Sequence, residues 1–199
     1  MGDLAKIFKA YDVRGVVPDE LNEDIAEAVG AAFAEVTQAT SVVVAHDMRT
    51  SSGPLAAAFA RGVNARGADV INVGLASTDM LYYASGVLDL PGVMFTASHN
   101  PARYNGMKMC RAGAVPIGSQ TGLTEIRKRA AELLETGVTP GEKTGGITER
   151  NLLPGYAAHL KTLVDLSGIR PLKVVVDAGN GMGGYTVPVV FDGLPIELT

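Results

Sequence analysis

Ser98 closes an apolar run, GVMFTAS at 92–98, and is followed at once by His99, Asn100 and Pro101. A hydroxyl delivered there can serve as a nucleophile or group carrier when charged partners stand near it. The sequence offers His99, Arg103 and Lys108 from the same stretch and Arg14 from YDVRG at 11–15. One hydroxyl among several cations, in a chain of net charge −4, suits phosphoryl transfer, where positioning and charge neutralisation do most of the work. Taken singly the same residues are ordinary: a loop serine, an ion-pairing arginine, and a solvated edge-strand lysine. Neighbours along a strand point to opposite faces, which disfavours His99 as the base for Ser98.

These side chains need elements to hold them. SVVVAH at 41–46, ADVINVG at 68–74 and GVMFTAS at 92–98 are predicted to be buried strands. Helical spacing joins Ile25, Val29, Ala32, Phe33 and Val36, and then Leu55, Ala58, Phe59, Gly62 and Val63, with Ser52 as a candidate cap and Pro54 near the first helical position. Strands separated by amphipathic helices imply right-handed crossovers and an α/β fold: a three-layer α/β/α sandwich around a mostly parallel mixed sheet. Ligands of such sheets bind beyond the C-terminal strand ends, where Ser98 is placed. His99-Asn100-Pro101 ends the strand. Asn105-Gly106 reads as a turn, after which MKMC at 107–110 starts an antiparallel strand. Period-two alternation sets Lys108 on the face opposite Met107 and Met109, toward the serine.

Further along, Ile126, Ala130, Leu133 and Leu134 mark a helix that stops at Gly137, and TGVTPGEKTGG at 136–146 has the composition of a linker. Two units follow from this, 1–143 and 144–199. The second opens with a helical pattern at Leu153, Tyr156, Leu160, Leu163 and Val164 and a strand-like LKVVVDA at 172–178. It is expected to be the start of a second, similar domain.

With 47% hydrophobic and 19% charged residues the chain has the balance of a folded α/β protein, not of a disordered one. The negative net charge disfavours nucleic acid and anionic membrane as partners. No run reaches the roughly 18 apolar residues of a spanning helix, and MGDLAKIFKAYDVRG lacks the features of a signal peptide. Cys110, the only cysteine, allows no internal disulfide, suits a reducing compartment and reads as a small packed hydrophobe. The expected setting is cytoplasmic. Residues 179–184 satisfy G-x-G-x-x-G with Glu197 at the distance of a dinucleotide site. Pro188 and an incomplete strand–helix–strand unit favour instead a tight turn eased by glycine.

TASHNP at 96–101, followed by YNGMKM at 104–109, resembles the active-site serine loop of the α-D-phosphohexomutases of the phosphomannomutase/phosphoglucomutase type. YDVRG, HDMRTS at 46–51 and VVVDAGNGMGG at 174–184 resemble further landmarks of that family in the same order. The resemblance implies that Ser98 carries phosphate and exchanges it with a hexose 1- or 6-phosphate, mannose or glucose, through a hexose 1,6-bisphosphate that also serves as activator. It implies that Lys108 acts as general acid and base and that Arg14 and His99 hold the phosphate region. It implies one Mg2+ ion bound through the Ser98 phosphate and by three aspartates of an Asp-Gly-Asp-Gly-Asp-Arg loop. These 199 residues lack that loop, so they are not expected to complete turnover alone. A non-catalytic phosphosugar-binding module is the alternative. Asp47 and Arg49 read as bracing the loop after a strand and stand outside the expected site.

Overall fold

Short β-branched runs become the strands of one mixed sheet in the computed structural model, which describes residues 4–199. The chain begins with α1 (Leu4–Ile7), β1 (Val13–Val16) and α2 (Glu23–Thr37). It then alternates through β2 (Ser41–His46), α3 (Ser52–Ala65), β3 (Asp69–Leu75), α4 (Thr78–Leu88) and β4 (Gly92–Phe95). Next come β5 (Tyr104–Arg111), β6 (Val115–Pro116), α5 (Thr124–Thr136), β7 (Ile147–Glu149) and α6 (Leu153–Thr162). The last elements are β8 (Leu172–Val174), α7 (Gly183–Phe191) and β9 (Ile196–Leu198).

The sheet runs β1-β5-β4-β2-β3-β7, with β6 on β5. Pairs β4/β2, β2/β3 and β3/β7 are parallel, whereas β5 is antiparallel to β1, β4 and β6. Thus β5 alone runs against its sheet. The connection from β4 is too short for the crossover of a dozen or more residues that a parallel strand needs.

Alternation along the central strands supplies two cores. Val42 and Val44 face one with Phe95 and Met107, under α2, α3 and α5. Val43 and Ala45 face the other with Met94 and Cys110, under α4 and α6. Helices therefore cover both faces, and the predicted three-layer sandwich is observed. In the first core Phe59 lies 5.6 Å from Phe33 and 5.6 Å from Phe95 between ring centroids. Helices α2 and α3 cross so closely that a side chain at Gly30 or Gly62 would run into the facing backbone at Phe59 or Glu27. At the end of α2, Glu35 ties Arg66 and Arg129 together. The Arg129 hydrogen bond holds the Glu35 carboxyl below the usual carboxylate range against a smaller opposing effect of burial.

Two local expectations are corrected. Ser52 does not cap α3: Ser51 holds that position, and the buried Ser52 hydroxyl donates instead to Asp47 Oδ1 at 2.6 Å. A buried carboxylate needs a donor, and the Ser52 hydroxyl supplies it. Asn105 and Gly106 form no turn. They lie inside β5, both buried, and the chain reverses earlier, through bonds from Asn100 N to Ala97 O and from Tyr104 N to Pro101 O, both 3.0 Å.

The sheet continues past residue 143, since β7 pairs with β3 and Leu153 and Tyr156 of α6 join the second core. Strands β8 and β9 pair in parallel across α7. That strand–helix–strand unit is closed, contrary to the expectation drawn from sequence. Its glycines make a turn, with Gly179 at φ +53° and Gly181 N bonded to Ala178 O at 2.8 Å, while Glu197 pairs with Lys173 at 3.3 Å. Among the described residues no helix is long and apolar enough to cross a membrane.

Candidate functional site

Strand β4 stops at Phe95, and Thr96 N still reaches Gly106 O at 3.1 Å. Beyond it the chain tightens. Ser98 N donates to Thr96 Oγ1 at 3.0 Å, Asn100 Nδ2 donates to Ala97 O at 2.9 Å, and Ala97 is buried. These local bonds set Ser98 at φ +52°, in the left-handed region that non-glycine residues seldom occupy. Its side chain is exposed. The turn also brings neighbours together that a strand would have separated. His99 Nδ1 lies 3.2 Å from Ser98 Oγ, so the argument against this pair from strand alternation does not hold: no strand is present there.

Arg14 of β1 lies opposite Gly106 of β5, and Lys108 lies opposite Met94 of β4. Residues 106 and 108 are two apart, so Arg14 and Lys108 share one face of the sheet. Asp12 joins them. Its Oδ2 is 2.7 Å from Arg14 Nη2 and 3.6 Å from Lys108 Nζ. This carboxylate was not picked out from the sequence, because only the pairing of β1 with β5 brings it near Lys108. Both cations remain partly solvent-accessible, at 33% and 36% side-chain exposure, so an anionic ligand can reach them. Gly106 makes the close strand approach possible, since a β-carbon there would collide with Val13 O. Arg103 turns elsewhere, its guanidinium stacking 5.5 Å from the Tyr104 ring centroid.

The loop after β2 contributes more than the sequence suggested. His46 and Phe95 are register partners in the parallel pair β2/β4, and Asp47 N donates to Phe95 O at 2.9 Å. Arg49 consequently lies against the serine turn. Its Nη2 donates to Ser98 O and Asn100 O, both at 2.7 Å, and its Nη1 to Pro101 O and Tyr104 O, both at 3.0 Å. Asn105 Nδ2 donates to Ser51 Oγ at 2.8 Å and Ser52 Oγ at 2.9 Å, tying the start of β5 to the same loop.

Cys110 is buried beside Gly92 O, at 3.8 Å, and burial pushes its thiol pKa up. That is the behaviour of a packed hydrophobe and not of a nucleophile. Among the described residues no three His, Cys, Asp or Glu side chains gather as metal ligands. The carboxylate cage that the resemblance implies for Mg2+ is thus not met by these residues.

The arrangement presents an exposed hydroxyl beside an imidazole, at the end of a sheet that also carries two cations. Comparison with known proteins shows the family of the chain. The profile described as "Phosphoglucomutase/phosphomannomutase, alpha/beta/alpha domain I" matches residues 5–136. A protein of Xanthomonas campestris pv. campestris described as "Phosphohexose mutases" is 46% identical over 191 residues, covering 96% of this chain and 42% of that protein. A phosphomannomutase of Escherichia coli strain K12 is 39% identical over 197 residues, with 96% and 43% covered. A crystal structure of a phosphoglucomutase/phosphomannomutase family protein from Burkholderia thailandensis superposes with a TM-score of 0.85 at 35% identity, covering 100% of this chain and 44% of that one. The chain thus spans about two-fifths of the length of the curated relatives it matches. It belongs to the phosphoglucomutase/phosphomannomutase family and contains that family's α/β/α domain I.

Proposed function

We propose that this chain forms the phosphoryl-carrying part of a hexose-phosphate mutase, with Ser98 as the carrier. The observation that supports this most is the exposed Ser98 hydroxyl in its left-handed turn, 3.2 Å from His99, at the same sheet end as the Arg14 and Lys108 cations. In the proposed step Ser98 Oγ attacks a phosphorus of hexose 1,6-bisphosphate. The Oγ–P bond forms, the proton of Oγ passes to the His99 ring, and the sugar O–P bond breaks with Lys108 supplying a proton to the leaving oxygen. Arg14 offsets the negative charge of the moving group. In the reverse direction phospho-Ser98 gives its phosphate to the free hydroxyl of a hexose monophosphate, forming the bisphosphate, and taking back the phosphate from the other position then completes the isomerisation.

The substrates we propose are phosphorylated mannose and glucose, with hexose 1,6-bisphosphate as activator, and the setting is the cytoplasm, which a lone thiol suits. Magnesium enters this reading as an ion bound through the Ser98 phosphate, with its other ligands supplied by residues beyond these 199. No step here is routed through it. The test is intact-mass analysis after exposure of the chain to hexose 1,6-bisphosphate. Gain of one phosphoryl group with release of hexose monophosphate is expected. Saturable binding without covalent gain would instead make this a phosphosugar-binding module.

A further inference from the structure

We infer that Arg49 is a positioning residue for phosphoryl transfer, holding the Ser98 turn in its left-handed form while contacting no phosphate itself. The inference rests on Ser98 being the phosphoryl acceptor. A non-glycine residue at φ +52° persists only where its surroundings over-determine it. Local bonds to Thr96 and Ala97 fix the near side of the turn. The far side is fixed by Arg49, which gathers the carbonyls of Ser98, Asn100, Pro101 and Tyr104 onto one guanidinium. One plane thus spans the segment from the nucleophile itself to the first residue of β5.

The donor inventory separates this role from phosphate binding. An arginine carries five N–H donors, four of them on the two terminal nitrogens. Those four are matched by four carbonyls, and Nε faces Asp47 Oδ2 at 3.4 Å. No donor on the terminal nitrogens remains for a phosphate oxygen, and Nε, which makes no hydrogen bond, is buried against Asp47. The guanidinium is also nearly buried, with 8% side-chain exposure against 33% for Arg14. Asp47 is fixed in turn, its Oδ1 accepting from Ser52 Oγ at 2.6 Å and from Arg49 N at 3.0 Å. The brace therefore leads from the end of β2 to Ser98 through the nearly buried side chains of Asp47 and Arg49.

Loss of the brace lets the turn relax and moves Oγ, and a displacement of about 1 Å costs on the order of a hundredfold in rate. Affinity for the sugar phosphate should hardly change. The test is single-turnover transfer from hexose 1,6-bisphosphate to Ser98, followed by mass, in the 199-residue chain and in Arg49→Met, across a range of bisphosphate concentrations. The maximal rate is expected to fall about a hundredfold with the half-saturating concentration within about twofold of the parent. Added methylguanidine should restore part of the rate, and Arg49→Lys, with its point charge and no fork, should recover little. Continued resistance of Cys110 to a thiol reagent reports an intact sheet; if Arg49→Met exposes it, Asp47→Asn carries the same comparison. An unchanged maximal rate, whether or not half-saturation rises, overturns the inference while leaving Ser98 as the acceptor. A parent chain that takes up no phosphate at Ser98 overturns the functional reading, and the inference with it.

Discussion

Replacing Lys108 with methionine is expected to slow phosphoryl transfer onto Ser98 by about a hundred- to ten-thousand-fold, the usual loss when a general acid or base is removed. Lys108 projects from β5 beside Arg14, and Asp12 Oδ2 lies 3.6 Å from its ammonium. At 36% exposure the ammonium keeps access to solvent and to a ligand. Methionine preserves the apolar stem, and Asp12 retains its 2.7 Å pairing with Arg14, so the fold should survive. Single-turnover kinetics against bisphosphate concentration separates the two roles a lysine can have here. Loss of rate at nearly constant half-saturation marks proton transfer. A near-normal rate with raised half-saturation would mean that Lys108 only anchors phosphate.

Truncating Phe59 to alanine is expected to destabilise the chain by about 3–5 kcal/mol, the range for large aromatic residues removed from a core. Phe59 is fully buried and stands between Phe33 of α2 and Phe95 of β4, 5.6 Å from each. Its removal leaves a cavity at the junction of two helices and the sheet, directly behind the strand that ends in the serine turn. Against a total stability of roughly 5–15 kcal/mol for a typical domain, this is a large fraction. Urea unfolding followed by circular dichroism measures it. A loss below about 1 kcal/mol would show that the aromatic contacts are not central to the core.

The elements that build this core were legible because their signals are local. SVVVAH became β2 over the residues expected, and the spacing of Leu55, Ala58 and Phe59 gave the buried face of α3. Lys108 fell on the face predicted, opposite Met107 and Met109. What escaped depends on contacts between distant segments or on one backbone angle. The Ser98–His99 contact arises from a left-handed turn that no residue type at 98 announces. Asp12 meets Lys108 only because β1 pairs with β5, a non-local choice. Arg49 reaches the serine turn because β2 and β4 are parallel neighbours, so the loops at their ends lie side by side. Asn105-Gly106 misled for a related reason. The dipeptide favours turns, yet Asn105 here spends its amide on Ser51 and Ser52, and that tertiary demand overrides local preference.

On the proposed reading Ser98, and no other hydroxyl, takes the phosphate. Thr96 is the nearest rival acceptor, but its Oγ1 accepts a hydrogen bond from Ser98 N at 3.0 Å within the turn. Ser85, further back, is buried, with Oγ 2.7 Å from Leu90 O and 3.0 Å from Arg111 O and accepting from Ala114 N at 3.0 Å. Tandem mass spectrometry of peptides from bisphosphate-treated chain locates the group directly. Phosphate on Ser98, absent from a Ser98→Ala variant treated in the same way, is the expected result. Phosphate on Thr96 or Ser85 with Ser98 bare would contradict the assignment.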